Sequence, residues 1–325
     1  MDFWARRRPG IVMAGMVTFA ALALLLANVL WLVLYRLGSI GMIETSVLAL
    51  VLATLLATRW VDRVGVVTVG LGWGGFARVE AARGAVLGFG LALLTAVCIA
   101  LASVAAGGSA AIELRGIASM SWVGSVLVIA LHAAGEELLY RGYLFQRLDE
   151  LTGSVCATVV SVCLFVLAHA SNPGITWIGL VTVGAGGLLF SLLVLRTGSL
   201  WSAILCHFGW NFLLGPVLGL PVSGMVSDVQ TPLAFSVSGP GAVTGGAFGP
   251  EGSIAAAVLV LVGCVVVVRM RHFDILAERF ARRFHALHRR AVVVAGETHS
   301  GSFCRSAQLP RRAHTSGASS PSIND

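Results

Sequence analysis

Apolar residues run along this chain in long unbroken stretches, neither alternating as in a half-buried strand nor striped as on a soluble helix. Such stretches lie near 11–34, 40–58, 84–107, 121–141, 154–170, 175–195, 199–219 and 253–269. Each approaches the ~20 residues that a helix needs to cross the hydrocarbon core of a bilayer. The pattern predicts eight transmembrane helices joined by short polar breaks.

Composition sharpens this picture. Hydrophobic residues make up 57% and charged residues 11% of 325, with mean hydropathy +0.89. Soluble domains carry about 25% charge, so a water-soluble globule is excluded and an all-α polytopic membrane bundle is expected. The net charge is +7, and all 22 basic residues are arginine. With the N-terminus inside, only Arg36 and Arg115 fall on the outer side, so 20 of the 22 lie in the cytoplasm. That asymmetry fits membrane orientation and not a nucleic-acid face. Both termini are expected to be cytoplasmic, in a bacterial plasma membrane. The run after Arg6, Arg7 and Arg8 exceeds the ~7–15 residues of a signal-peptide core and reads as a retained first span. Cys98, Cys156, Cys163, Cys206, Cys264 and Cys304 have no metal-site spacing and read as packing residues.

Two segments stand apart from the spans. Residues 220–252 form an outer loop rich in Gly, Pro and Ser, with Asp228 and Glu251 and no arginine, which reads as a tether in preference to a lid. From Arg269 to Arg290, arginines interleave with Phe273, Ile275, Leu276, Phe280, Phe284 and Leu287, the pattern of a basic amphipathic helix on the inner leaflet. The remaining tail has the composition of a disordered segment.

An ionisable side chain inside a span costs about 2.5–3.5 kcal/mol, so each needs a reason. The fourth span carries Glu136 and Glu137 with Arg141, and His132 one turn before Glu136. The fifth carries Phe165 and His169, and the seventh His207 and Asn211. A spacing of four sets two side chains on one helical face. At 1.5 Å per residue the three groups reach overlapping depth, provided that the fourth helix continues through Arg147 to a turn near Asp149. Each motif alone has a plainer reading: Glu137 with Arg141 as a structural ion pair, His169 as a core histidine, His207 and Asn211 as interhelical glue. His132 reads as structural. Their coincidence at one depth is what points to a site.

The ordered set Glu136-Glu137-x-x-x-Arg141, Phe165-x-x-x-His169 and His207-x-x-x-Asn211 resembles the CAAX protease and bacteriocin-processing family of intramembrane peptidases. The resemblance covers roughly residues 120–215. The HExxH, GxSG and GxGD signatures of other membrane-embedded proteases are absent at any plausible site. The resemblance implies that Glu136 is the general base and that His169 holds the attacking water. His207 and Asn211 would bind the oxyanion, with Glu137, Arg141 and Phe165 in support. It divides the chain into N-terminal helices and a cytoplasmic loop (1–83), a protease core (84–269) and a basic segment with tail (270–325).

No cofactor is required by this set, and a metal-free glutamate mechanism is the favoured expectation. Glu136, His169 and His207 equally supply a two-histidine, one-carboxylate set for zinc. The expected partners are the lipid bilayer and a membrane-associated peptide or protein, with no nucleic acid. Two other readings stay open: a non-catalytic immunity or scaffold protein, and a small-solute transporter using the same charges as a proton relay. The transporter lacks the repeated halves and broken helices that such folds display.

Overall fold

The computed structural model describes residues 9–36, 42–62, 65–116, 119–226 and 229–270. The expected amphipathic segment and tail lie outside these from residue 271 on. The elements are α1 (Pro9–Arg36), α2 (Met42–Leu56, prolonged by a π turn Ala57–Val61), α3 (Gly75–Ala105), β1 (Ala110–Leu114), α4 (Met120–Arg141), α5 (Tyr143–Thr152) and α6 (Ser154–His169). After them come α7 (Trp177–Thr197), α8 (Leu200–Phe212, prolonged by a π turn Leu213–Val217), β2 (Leu233–Val237), α9 (Gly241–Thr244) and α10 (Ile254–Arg269).

The fold is an all-α polytopic membrane architecture. Among the described residues, five stretches are long and apolar enough to cross a membrane: Pro9–Val33, Gly75–Ala105, Met120–Thr152, Trp177–Thr197 and Leu200–Val217. Shorter apolar helices at Thr45–Val61, Ser154–His169 and Ile254–Arg269 occupy the other three places read from the hydrophobic pattern.

Three details differ from the sequence reading. Helix α4 does not run through Arg147; it stops at Arg141, and Gly142 leaves the helix at φ −74°, ψ −131°. A Cβ at Gly142 would lie 2.2 Å from the Leu138 carbonyl oxygen, so only glycine makes this break. Beyond it, α5 buries Tyr143, Phe145, Gln146 and Arg147 on a path of its own. Tyr143 stacks on Phe19 of α1 at 4.9 Å, Gln146 donates to the Val69 carbonyl at 2.9 Å, and Arg147 pairs with Glu150 and Asp62. The depth count made along one straight helix therefore used the wrong ruler. Second, α3 begins at Gly75, so a boundary at 83/84 cuts a continuous helix.

The third difference is the outer loop, which is not a free tether. Its strand β2 pairs antiparallel with β1, Leu114 opposite Leu233 and Ala110 opposite Val237. This small sheet ties the α3–α4 link to the α8–α10 link.

Helix α8 is set by α3. A Cβ at Gly84 would lie 2.1 Å from the Ser202 carbonyl oxygen, and one at Gly88 would lie 2.0 Å from that of Cys206. This small-xxx-small face brings the two backbones into contact and fixes the height of His207, the residue after Cys206. The main core gathers Phe165, Leu189, Leu193, Leu200, Ile204 and Trp210 around the same level.

Gly88→Ala is thus expected to part the two helices and lower the thermal unfolding midpoint in detergent. Gly90→Ala, whose Cβ meets nothing within 4 Å, should leave the midpoint unchanged or raise it, since alanine is better than glycine in a helix by about 1 kcal/mol. Equal effects of the two changes would refute the close-contact assignment.

Candidate functional site

The last turn and a half of α4 supplies both acids. Glu137 and Arg141, one turn apart, are wholly buried. Arg141 Nη1 donates to Glu137 Oε1 at 3.2 Å, Nη2 donates to the Gly187 carbonyl at 2.9 Å, and the guanidinium lies 4.6 Å over the Phe165 ring. Helix α7 admits it because position 187 is glycine: a Cβ there would sit 3.1 Å from Nη2. A buried charge this well matched in bonds and stacking needs no water.

His207 of α8 is oriented by the same acid. Its Nδ1 is 3.0 Å from Glu137 Oε1, and its ring stacks on Phe190 at 4.7 Å. Since a carboxylate accepts, Nδ1 carries the hydrogen. His169 is fixed in the same way by its own helix, with Nδ1 2.8 Å from the Phe165 carbonyl oxygen, which likewise only accepts. Each ring thereby turns its Nε2 away from that partner, as an acceptor when the imidazole is neutral and as a donor when it is protonated.

Both Nε2 atoms face Glu136. The His169 atom is 3.9 Å from Glu136 Oε1 and the His207 atom 3.7 Å from Oε2. The structure therefore brings Glu136, His169 and His207 together even though α4 ends at Arg141. Neutral, the two rings would face the carboxylate as acceptors and call for a donor or a cation among them; protonated, they would pair with it. Asn211 lies one turn beyond His207 on α8, half-buried, with no side-chain hydrogen bond among the described residues. Phe165 is the common floor, touching His169 at 4.4 Å and His207 at 6.3 Å between ring centroids.

Two residues were not read from sequence as part of this centre. His132, assigned a structural role, places Nε2 3.0 Å from Glu136 Oε1 and so holds the proposed base directly. The i,i+4 spacing to Glu136 was the available signal. Glu251 of the outer loop is buried, accepts from Trp210 Nε1 at 3.0 Å and from Ser223 Oγ at 2.7 Å, and also takes the Ser223 backbone N–H. Ser223 sits at φ 50°, a strained value for a residue with a side chain. Asn172, three residues after His169, donates to the Ser223 carbonyl at 2.9 Å. The loop is thus latched at the end of α6 and over α8. Nothing in a glycine-rich loop sequence marks one of its two acids as buried.

For a metal, the donor types fit: two imidazoles whose other nitrogen is already bonded, beside a carboxylate, match the outer-shell pattern of zinc sites. Ligands ~2.0–2.1 Å from a tetrahedral zinc stand about 3.3 Å apart, closer than the 3.7 and 3.9 Å seen between these atoms. Among the described residues, no group of three His, Cys, Asp or Glu side chains is drawn together as a metal site.

Residues 118–213 match the family model of the type II CAAX prenyl endopeptidase Rce1-like proteins. The match covers less than a third of the chain, spans α4 to α8 and contains Glu136, Glu137, Arg141, Phe165, His169, His207 and Asn211. It agrees with the family resemblance carried by the three motifs. No curated protein and no solved structure matches the chain.

Arg141→Ala is expected to cost about 3–5 kcal/mol, the range for stripping one partner from a buried pair, read as lost membrane accumulation and a lowered unfolding midpoint. Arg141→Lys should recover only part of it, since one ammonium cannot make the forked contacts. An Arg141→Ala protein as abundant and as stable as the parent would show that Glu137 is held by other means.

A second expectation concerns the latch. Burial pushes the Glu251 carboxyl above the usual carboxylate range, against the Ser223 and Trp210 hydrogen bonds and nearby His169, which lower it. A carboxyl raised on folding contributes stability that is full below its unfolded value and is lost as pH rises through the folded one. The unfolding midpoint of Glu251→Gln, relative to the parent, should therefore climb as pH rises above the ordinary carboxylate range. A difference independent of pH would contradict this.

Proposed function

Taking the Rce1-like match at 118–213 as the premise, we propose that this multi-pass membrane protein is an endopeptidase that hydrolyses a peptide bond within the membrane, with Glu136 as general base. The substrate is a membrane-associated peptide or protein, of CAAX or bacteriocin type by resemblance. The observation that carries the reading is the convergence of two imidazole Nε2 atoms on the Glu136 carboxylate.

In this mechanism a water lies between Glu136 and His169 Nε2. Its oxygen bonds to the scissile carbonyl carbon as one of its protons passes to Glu136. Glu136 then hands that proton to the leaving nitrogen as the C–N bond breaks, and the second water proton leaves with the new carboxyl group. The oxyanion is met by the Asn211 amide and by His207. Because His207 Nδ1 already donates to Glu137, it donates from Nε2 only as the imidazolium, which the Glu137 carboxylate stabilises. His132 keeps Glu136 Oε1 in place.

The reading is metal-free. Among the described residues, the other carboxylates beside these imidazoles are Glu137 and Glu251, and both are committed, to Arg141 and His207 and to Trp210 and Ser223 respectively. If Glu136 were a metal ligand, no carboxylate would remain to take the proton. Were zinc bound, Glu136, His169 and His207 would hold it, and it would supply Lewis-acid activation of the water. The same orientation places both termini in the cytoplasm by the arginine asymmetry.

The test is cleavage of a membrane-anchored peptide library by purified protein. Glu136→Gln should accumulate normally and lose about 10²–10⁴-fold in rate, the contribution of a positioned base. A strong chelator should leave the parent's rate unchanged. Full activity in Glu136→Gln would end the mechanism; chelator-sensitive cleavage restored by zinc would overturn the metal-free reading; and no cleavage by well-folded parent protein would favour the scaffold reading.

A further inference from the structure

Behind the two imidazoles, on α7, lies a glycine that the packing does not require. A Cβ on Gly186 would meet only the Phe190 ring edge, at 3.9 Å, whereas one on its neighbour Gly187 would press on Arg141 and Phe165 at 3.1 and 3.3 Å. The backbone of Gly186 is ordinary helix, with no positive φ. Glycine inside a helix costs about 1 kcal/mol relative to alanine. What its missing side chain leaves is room: Gly186 lines a cavity of ≈ 40 Å³ whose wall is mostly apolar, with Phe165, Leu189, Phe190 and Trp210 among it, and has His169, His207, Thr182, Ser223 and Glu251 as its polar part.

The chemistry of that wall selects its occupant. Thr182 Oγ1 donates to the Ile178 carbonyl at 2.9 Å, and Ser223 Oγ donates to Glu251 at 2.7 Å. With their protons committed, both hydroxyls can only accept from a further partner. An aliphatic side chain could make no use of these acceptors. Water brings two donors per molecule, and at roughly 10–15 Å³ for each the space holds several.

We infer that this cavity is the water-holding site of the enzyme: a store, walled in part by the Glu251 latch, from which the hydrolytic water passes between His169 and His207 to Glu136. The inference rests on the peptidase reading and deepens it by assigning where the second substrate waits. His169 and His207 are the common wall of store and centre, since each lines the cavity and faces Glu136 through Nε2. A site surrounded by lipid and protein has few routes for water, so room for it close by is a functional need.

Filling the cavity from Gly186 tests this. Gly186→Ala and Gly186→Val are measured against the parent on a membrane-anchored peptide that the parent cleaves, and each is also placed in the Glu136→Gln background to measure affinity for the uncleaved peptide. The expected result is a graded fall in kcat, about threefold for alanine and tenfold or more for valine, with affinity within about threefold of the parent and an unchanged unfolding midpoint. If valine does not accumulate, alanine decides, because its Cβ has only the 3.9 Å neighbour. An unchanged kcat in the filled variants would overturn the proposal. So would a loss confined to peptides with bulky residues beside the scissile bond, which would make the cavity a side-chain pocket. Cleavage that is absent from parent and Glu136→Gln alike would bring down the peptidase reading itself, and this inference with it.

Discussion

The carboxylate of Glu137 is wholly buried, and the rest of the centre is arranged by how that charge is met. Arg141 answers it from one turn away and is itself held by the Gly187 carbonyl and the Phe165 face. His207 answers it from α8 and is thereby locked with its hydrogen on Nδ1. One buried charge thus fixes the spacing of three helices and the tautomer of an imidazole. Such a pair does little for net stability compared with an apolar replacement, but removing one member is severe. Its value here is orientation: without Glu137, the ring of His207 has no reason to present Nε2 to Glu136.

The two adjacent acids on α4 illustrate how neighbours in sequence take opposite roles. Successive helical positions point about 100° apart, so Glu137 turns into the α7–α8 seam while Glu136 turns towards His132 and the two Nε2 atoms. Glu136 keeps some exposure and Glu137 has none. One is a fixed counter-charge and the other is the acceptor proposed to exchange a proton.

Much of this was legible beforehand, for identifiable reasons. Span places follow from apolar run length, which needs no tertiary information, and Glu137 with Arg141 is readable because i,i+4 is a contact inside one helix. His169 and His207 came within reach of each other by helix counting, yet the count assumed a straight α4 that Gly142 interrupts. It reached the right meeting for a partly wrong reason. Long-range pairings were not legible: β1 and β2 are too short and too far apart to announce a sheet. The choice of Glu251 for burial depends on Ser223 and Trp210 being brought to it by the fold. Asn211 has a plain position on α8 and no side-chain hydrogen bond among the described residues.

The β1–β2 ladder bears on the order in which the protein is completed. Glu136, Glu137, Arg141, Phe165, His169, His207 and Asn211 all leave the ribosome before Leu233, and Glu251 follows later still. The helices that carry the chemistry are therefore synthesised before the strand and the latch that cover them. A chain ending before residue 233 would contain every proposed catalytic group and lack its outer cover. The outer loop from residue 233 on is in that sense the closing stitch of the proposed centre, sewn after the residues that would carry the chemistry have been synthesised.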